Sequence, residues 1–198
     1  MPGDVFILDT PELLRALAHP LRIKLLSLLQ SEGPATATML APLAGESVAA
    51  VSYHLRQLAR FGLVEEVSDR GDRRDRWWQA VAREYNVPEV DVEEPEREAA
   101  RFQLMARVME RDSAIVASFL DERERYEPEW RQAVVFSNQV VHMRPEQVAE
   151  ASQRIHEVLA DYAPERPSDP PASGAERVYV VIRLVPWRSF RDGDGAAD

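Results

Sequence analysis

The residues whose side chains are best suited to binding or chemistry form two groups. The first begins at Ser47 and combines hydroxyl, imidazole, amide and guanidinium groups with two small side chains: Ser47, Ala49, Ala50, Ser52, Tyr53, His54, Arg56, Gln57 and Arg60. The second follows shortly after and concentrates positive charge: Arg70, Arg73, Arg74 and Arg76. The polar groups of the first set suit base edges, and small residues allow close contact with thymine methyl groups. Clustered guanidinium groups suit a phosphate backbone.

Each group also has an alternative interpretation. The arginine-rich stretch alternates with Asp69, Asp72 and Asp75, a pattern that by itself is typical of a solvated hairpin tip. Its place after a helix with outward polar residues favours phosphate contact instead. His54 alone is more often a histidine packed within a helix than a base reader, so both roles stay open for it.

Helix signals place the first group in a module of short helices. Thr10-Pro11 and His19-Pro20 each predict a helix start. Residues 36–44 predict a short helix that contains Pro42, and Gly45-Glu46-Ser47 predicts the turn that follows. Two short helices joined by a tight turn are typical of a helix-turn-helix.

The helix after this turn has a predicted inward face. Val48, Val51, Leu55 and Leu58 recur at three- and four-residue spacing, which places them on one side of a helix. The polar residues of the first group then occupy the other side. Ser47 is a good N-cap for this helix.

A β-hairpin is predicted to follow. Gly62 suits the end of the helix, residues 63–68 and 76–81 predict two strands, and residues 69–75 predict a charged turn. Trp77 and Trp78 are adjacent in a strand, so one should face the core and the other outward. Helices followed by such a hairpin predict a winged helix-turn-helix domain over residues 1–83.

The second half predicts a different lobe. Residues 84–94 predict an acidic linker, and residues 95–186 a long helix with a small α/β lobe, before a disordered tail over residues 187–198. Within the lobe, helices are predicted at 95–125 and 145–162. Strands are predicted at 133–136, 139–143 and 177–185. The fold class is therefore α+β and mainly helical, with a C-terminal lobe for dimerisation or sensing.

The long helix is longer than a compact small lobe needs, so we expect it to pack against a second chain or to support both lobes. The predicted dimer interface consists of apolar residues from the first and the long helix: Leu13, Leu17, Phe102, Met105, Met109 and Val116. The same stripe could instead form a core.

Charge and composition limit the function classes. The chain has 198 residues, no cysteine and a net charge of −10. Residues 1–83 hold 10 basic and 10 acidic residues, which leaves 14 and 24 of the totals of 24 and 34 for the rest. The excess acid thus lies outside the predicted winged helix. With neither a signal peptide nor an apolar run of about 20 residues, we expect a cytoplasmic chain without a membrane span.

The motifs of the first half resemble a known family. Ala18-His19-Pro20-Leu21-Arg22, Val51-Ser52-Tyr53-His54-Leu55-Arg56-Gln57-Leu58 and Gly62-Leu63-Val64-Glu65-Glu66 resemble the ArsR-like winged-helix regulators over about residues 6–83. The resemblance implies a dimer on double-stranded DNA, with the helix 47–60 in the major groove and the wing near the backbone or minor groove. Many relatives sense metals through a cysteine before this helix, but residues 36–39 hold no thiol, so a thiolate sensor is excluded.

Catalysis and cofactor binding find little support. The chain has no Gly-rich phosphate loop, Gly-x-Ser-x-Gly or His-Glu-x-x-His pattern, and the spacing of His142, His156 and Glu157 matches no compact metal motif. We expect no enzyme, cofactor or metal. A protein- or ligand-binding module that keeps the winged-helix shape without using DNA remains the alternative. The second lobe could also sense a small-molecule effector: Phe102, Trp130, Phe136, Tyr162 and Trp187 would form either a pocket or a core.

Overall fold

A computed structural model describes residues 3–67, 76–88, 94–162 and 174–187. These residues divide into two units between Arg131 and Gln132. The elements are β1 Gly3–Ile7, α1 Pro11–Leu17, α2 Pro20–Glu32, β2 Ala35–Thr36, α3 Ala37–Ala44, α4 Val48–Arg60, β3 Val64–Val67, β4 Trp77–Ala80, β5 Ala82–Asn86, α5 Pro95–Glu122, a 3₁₀ turn Arg123–Arg125, α6 Pro128–Ala133 and α7 Pro145–Ala160. The predicted fold class is confirmed: mainly helical, with a small sheet, an N-terminal helix-turn-helix and a long C-terminal helix.

Side-chain caps fix where the first helices begin. The Thr10 hydroxyl oxygen accepts a hydrogen bond from the Leu13 amide at 3.3 Å, and Pro11 occupies the first turn of α1. His19 Nδ1 accepts from the Leu21 amide at 3.2 Å at the start of α2. Both predicted starts are thus confirmed. Such caps satisfy backbone donors that a helix leaves unpaired.

The turn between α3 and α4 has a specific backbone geometry. Gly45 ends α3 at φ +71°, a left-handed conformation that glycine adopts without a Cβ clash. The Glu46 amide then donates to the Ala41 carbonyl at 3.1 Å, and the Lys24 ammonium donates to the Ala44 carbonyl at 2.9 Å. Pro42 lies inside α3, which ends two residues later. The turn therefore fixes the direction in which α4 leaves α3.

The core of the first unit confirms most of the predicted inward face of α4. Val51, Leu55 and Leu58 are fully buried, together with leucines of α1, α2 and α3. Val48 is 44% exposed, so its predicted inward position was wrong. The reason is that Val48 is the first residue of the helix and follows the exposed turn 45–47, before α4 reaches the core.

The predicted hairpin is part of a three-stranded antiparallel sheet. The strand order is β2-β4-β3, with Glu66 opposite Trp78 and Ala35 opposite Trp78 on the other side. Trp78 is buried and Trp77 only partly so, which confirms the predicted division. The short strand β2 was not predicted, because two residues are too few to show the alternating pattern of a strand. The turn 69–75 lies outside the described residues.

A second, parallel sheet was not predicted. β1 pairs with β5, with Gly3 opposite Ala82 and Ile7 opposite Asn86. Residues 84–86 are thus strand, which corrects the prediction that a linker begins at residue 84. The Tyr85 hydroxyl donates to the Leu63 carbonyl at 2.6 Å, and its ring lies 5.6 Å from that of Phe6. This strand is tied to the winged helix.

We expect Tyr85→Phe to destabilise the chain by about 1 kcal/mol, since the Leu63 carbonyl loses the shorter of its two hydrogen bonds and keeps only the one from the Val81 amide at 3.4 Å. Burial raises the pKa of Tyr85 to about 12. The neutral phenol is therefore favoured in the folded state, and stability should fall as the pH rises from about 10 to about 12. Urea unfolding at neutral and alkaline pH measures both effects. A variant as stable as the native chain would show that β5 is not tied to this core.

The long helix α5 confirms the predicted start at Pro95 and belongs to the first unit. It packs against α1 and α2, with Ala100 and Leu104 buried. Arg111 donates to the Ser27 hydroxyl at 2.7 Å and pairs with the buried Asp112 at 2.9 Å. The winged helix and α5 therefore share one core.

The second unit confirms a helix at 145–160 but not the predicted strands. Residues 134–143 and 177–185 have no regular secondary structure, and Ala133 ends α6. Their alternating pattern was sufficient for a strand prediction, but a strand also needs a hydrogen-bonded neighbour, and the described residues form none there. Val180, Ile182 and Leu184 share an open cleft of about 390 Å³ with α7. Among the described residues, no helix is long and apolar enough to cross a bilayer.

Candidate nucleic-acid interface

An exposed stripe runs along α4 on the side away from the core. Ala49, Tyr53, Arg56 and Arg60 are all exposed and recur at three- and four-residue spacing. At 1.5 Å per residue the stripe is about 16 Å long. It begins with a small side chain, continues with a phenol and ends with two guanidinium groups. Four of the nine residues that the sequence placed in this helix site thus share one open face.

The other predicted residues of this helix lie beside or beneath the stripe. The Ser47 hydroxyl oxygen accepts from the Ala50 amide at 3.2 Å, so this side chain caps α4. Ala50, Ser52 and Gln57 are half-buried, and Ala50 packs against the core. These positions fix the orientation of the helix, and their accessible atoms border the stripe.

His54 is placed against the start of α2. Its ring lies 4.4 Å from the His19 ring and 5.1 Å from the Tyr53 ring, and its Nδ1 atom is buried. Burial lowers the pKa of both histidines, and Arg22 nearby lowers it further. Neutral imidazoles therefore pack against each other here, tilted by 35°, and join α4 to α2. This placement favours the packing role that the sequence left open.

The histidine pair predicts acid sensitivity. Because the folded-state pKa values lie below the ordinary value of 6.5, the unfolded chain binds more protons as the pH falls. The stability of the native chain should be greatest above about pH 6.5 and should decrease below that pH. Over the same acidic range, the stability of the double variant His19→Asn/His54→Gln should depend less on pH than that of the native chain. The asparagine of this variant is itself a good N-cap, so the start of α2 should be preserved. Melting temperatures from pH 8 to pH 5 measure this, and equal slopes would contradict it.

The base of the wing carries one described arginine of the predicted set. Arg76 is exposed, and its Nε lies 3.8 Å from the Glu66 carboxylate on β3. An exposed pair at this distance contributes little to stability, so the guanidinium stays accessible to another anion. Arg70, Arg73 and Arg74 lie outside the described residues.

The predicted dimer-interface residues separate by burial. Leu17 is buried in the core of its own chain, so its prediction as an interface residue is corrected. Leu13 and Met105 are partly buried against the same core. Phe102 and Met109, at 63% and 47% exposure, lie on the open side of α5 with the half-buried Val116. Only this last group forms an outward apolar face.

Sequence reasoning missed the residues that support the site from α2. His19 was predicted at a helix start and as part of the family motif but not as a contact of His54, and Lys24 was not singled out. The signal for His19 was its position before Pro20, where a side chain can cap the helix. Lys24 had no such signal because its partner is a backbone carbonyl 20 residues away. Among the described residues, no cluster of three or more His, Asp or Glu side chains could hold a metal.

Comparison with family models agrees with the helix-turn-helix geometry. Residues 17–67 match a family model described as "Helix-turn-helix domain", a range that covers α2, β2, α3, α4 and β3. No curated protein matches the chain. The crystal structure of RV1404 from Mycobacterium tuberculosis is similar at 15% identity and a TM-score of 0.33, covering 74% of this chain and 82% of that one. The chain thus carries a helix-turn-helix domain of the kind that DNA-binding transcription regulators contain.

Proposed function

We propose that the chain is a sequence-specific regulator of the ArsR-like class that binds double-stranded DNA as a homodimer and acts as a repressor in the cytoplasm. The proposal depends on the exposed stripe of α4, which consists of Ala49, Tyr53, Arg56 and Arg60. Helix α4 is the second helix of the region that matches the helix-turn-helix family model. No metal or cofactor takes part in this proposal.

The chemistry of the stripe supports a position in the major groove, which is about 12 Å wide and admits a helix. Ala49 lets the first turn of α4 approach the DNA closely. The Arg56 guanidinium suits the O6 and N7 acceptors of guanine, and Arg60 suits a phosphate. The first turn contains no acidic residue that would repel phosphate. The wing arginines then add contacts with the backbone.

The open face of α5 supports pairing of two copies. Phe102, Met109 and Val116 follow one another at intervals of seven residues, which keeps them on one side of a long helix. Pairing through this side would place two copies of α4 on one duplex and favour an inverted-repeat operator. The second unit is the proposed place for any small-molecule effector.

The experiment separates base contacts from phosphate contacts. Bound sequences are selected from randomised duplexes, and affinity is then measured against salt for the best duplex and a scrambled control. We expect Arg56→Ala to weaken binding of the best duplex by about 5- to 150-fold and to change the scrambled control little. Reversing the charges of Arg73 and Arg74 should weaken both duplexes and reduce the salt dependence.

Arg154→Ala, an exposed arginine of α7, is the matched control and should leave both affinities unchanged. Equal losses from Arg56→Ala on both duplexes would contradict the proposed division of roles. If no sequence is enriched and binding does not depend on salt, the chain is instead an interaction module with a winged-helix shape.

A further inference from the structure

A group of basic side chains lies where α2, α4 and α5 meet, beside the exposed stripe. This basic cluster consists of His19 and Arg22 at the start of α2, His54 of α4 and Arg107 of α5. The His19 and His54 rings are 4.4 Å apart, and the His54 ring is 5.1 Å from that of Tyr53 in the stripe. Arg22 is close enough to lower the pKa of both histidines, and Arg107 to lower that of His19. Three helices thus bring cationic or protonatable groups to one place.

The Arg22 guanidinium has no counter-ion within the described part of the chain. The hydrogen bond that it makes there, from Nη2 to the Arg15 carbonyl, is long at 3.4 Å. Its Nε atom is buried without a hydrogen-bond partner. A half-buried cation that is neither paired nor fully hydrogen-bonded is unfavourable. An anion at the outer nitrogens of Arg22 would offset this cost.

The neighbouring side chains add donors and a second cation. His19 Nδ1 accepts from the Leu21 amide at 3.2 Å, so the proton of the neutral ring is on Nε2, which is a donor. Arg107 pairs with Glu110 at 2.7 Å, but both are exposed, and such a pair contributes little to stability. Guanidinium groups and N–H donors are the groups that bind a phosphate-type oxyanion most strongly. The composition of the basic cluster therefore indicates an anion as its ligand.

We propose that the basic cluster binds one phosphate-type oxyanion, held by the guanidinium groups of Arg22 and Arg107 and by the Nε2 donor of His19. The anion is either a backbone phosphate of DNA next to α4 or a free phosphate group. The first source rests on the proposed function, and the second does not. With DNA as the source, Arg107 would hold the duplex from α5, which lies outside the matched range 17–67. The long helix would then form part of the DNA site.

Binding of this anion should be coupled to proton uptake. Burial lowers the pKa of both histidines, the nearby Arg22 lowers it further, and Glu46 in the turn before α4 opposes this shift. The charged and titratable groups around the two rings come from α2, this turn, α4 and α5: Arg22, Glu46, Tyr53 and Arg107. A bound oxyanion adds negative charge and favours the protonated rings. The anion should therefore bind more tightly as the pH falls through the ordinary histidine value of 6.5.

The first test uses the native full chain and sulfate, a tetrahedral oxyanion whose charge does not change between pH 8 and pH 5. The chain has four histidines, and proton NMR follows the imidazole resonances of each. Sulfate should shift the His19 and His54 resonances saturably, with a lower dissociation constant at pH 6 than at pH 8. The resonances of His142 and His156, which lie in the second unit, are the internal control and should not move.

Two variants locate the bound anion. Arg22→Gln and Arg107→Gln should each weaken sulfate binding by about 10-fold or more, because each removes a charge-assisted hydrogen bond. Arg125→Gln is the matched control for Arg107→Gln, since Arg125 is also exposed and pairs with a carboxylate three residues away, at 3.1 Å. It should leave sulfate binding unchanged. Because Arg107 is exposed, its variant should fold even if Arg22→Gln does not.

Duplex binding by the same variants identifies the source of the anion. If the ligand is a backbone phosphate, Arg107→Gln should weaken the best and the scrambled duplex alike and reduce the salt slope by about 1. If sulfate binds in the basic cluster and duplex affinity does not change, the source is a free phosphate group. Sulfate that does not move the His19 and His54 resonances, together with unchanged duplex affinity, would overturn the inference. So would variants that bind sulfate as tightly as the native chain. Sulfate binding in the cluster by a chain that binds no DNA would keep the inference and reject only the proposed regulator.

Discussion

Replacing Ala49 by glutamate is expected to weaken DNA binding strongly without destabilising the fold. Ala49 is exposed in the first turn of α4, and that turn holds no acidic residue. A carboxylate there interacts favourably with the helix dipole, which adds about 0.3–1 kcal/mol of stability. Against a phosphate backbone the same carboxylate is a buried like charge, which costs several kcal/mol. We expect affinity to fall by about 100-fold or more.

Ala49→Gln separates charge from size. It is similar in volume to glutamate but neutral, so it should lose less affinity, and its loss should depend less on salt. Affinity at two salt concentrations and urea unfolding of both variants provide the comparison. If Ala49→Glu binds DNA as well as the native chain, α4 does not face the duplex with its first turn.

Leu55→Ala is expected to have the largest effect on stability. Leu55 is fully buried at the centre of α4, between Val51 and Leu58. Truncation of a buried leucine costs about 2–5 kcal/mol, from lost burial and from the cavity left behind. Because small domains are stable by about 5–15 kcal/mol, this is a large share of the total. Thermal and urea unfolding should show the loss clearly.

Val48→Ala is the matched control for Leu55→Ala. It removes apolar carbons from the same helix at a position that is 44% exposed, so the cost should stay below about 0.5 kcal/mol. Since Leu55 lies away from the exposed stripe, its variant should still bind DNA at temperatures where it remains folded. Equal destabilisation by the two changes would mean that α4 does not pack as described.

Local signals were sufficient to predict most of the first unit. The caps at Thr10 and Ser47 and the glycines that end α3 and α4 each depend on residues within one turn of each other. Burial of Val51, Leu55 and Leu58 follows from helical period alone. For these elements, local preference and tertiary structure agree, as is usual in natural sequences.

The remaining features depend on partners that are distant in sequence. Pairing of β1 with β5 joins residues about 80 positions apart. Nothing in the sequence of either strand indicates which strand it pairs with. The same holds for His54, because its packing against His19 appears only when α2 and α4 meet. Segments 134–143 and 177–185 have the alternating pattern of a strand. This pattern does not indicate whether a neighbouring strand is present to form the hydrogen bonds that a strand requires.

The parallel pairing of β1 and β5 also has a consequence during synthesis. β1 leaves the ribosome first, but its partner emerges about 80 residues later, which takes about 4–16 s at ordinary elongation rates. During that time the nascent chain can assemble α1 to α4, while the apolar residues Val5, Phe6 and Ile7 await a strand. Release of the chain before residue 86 would leave this edge open, and such an edge readily pairs with other chains.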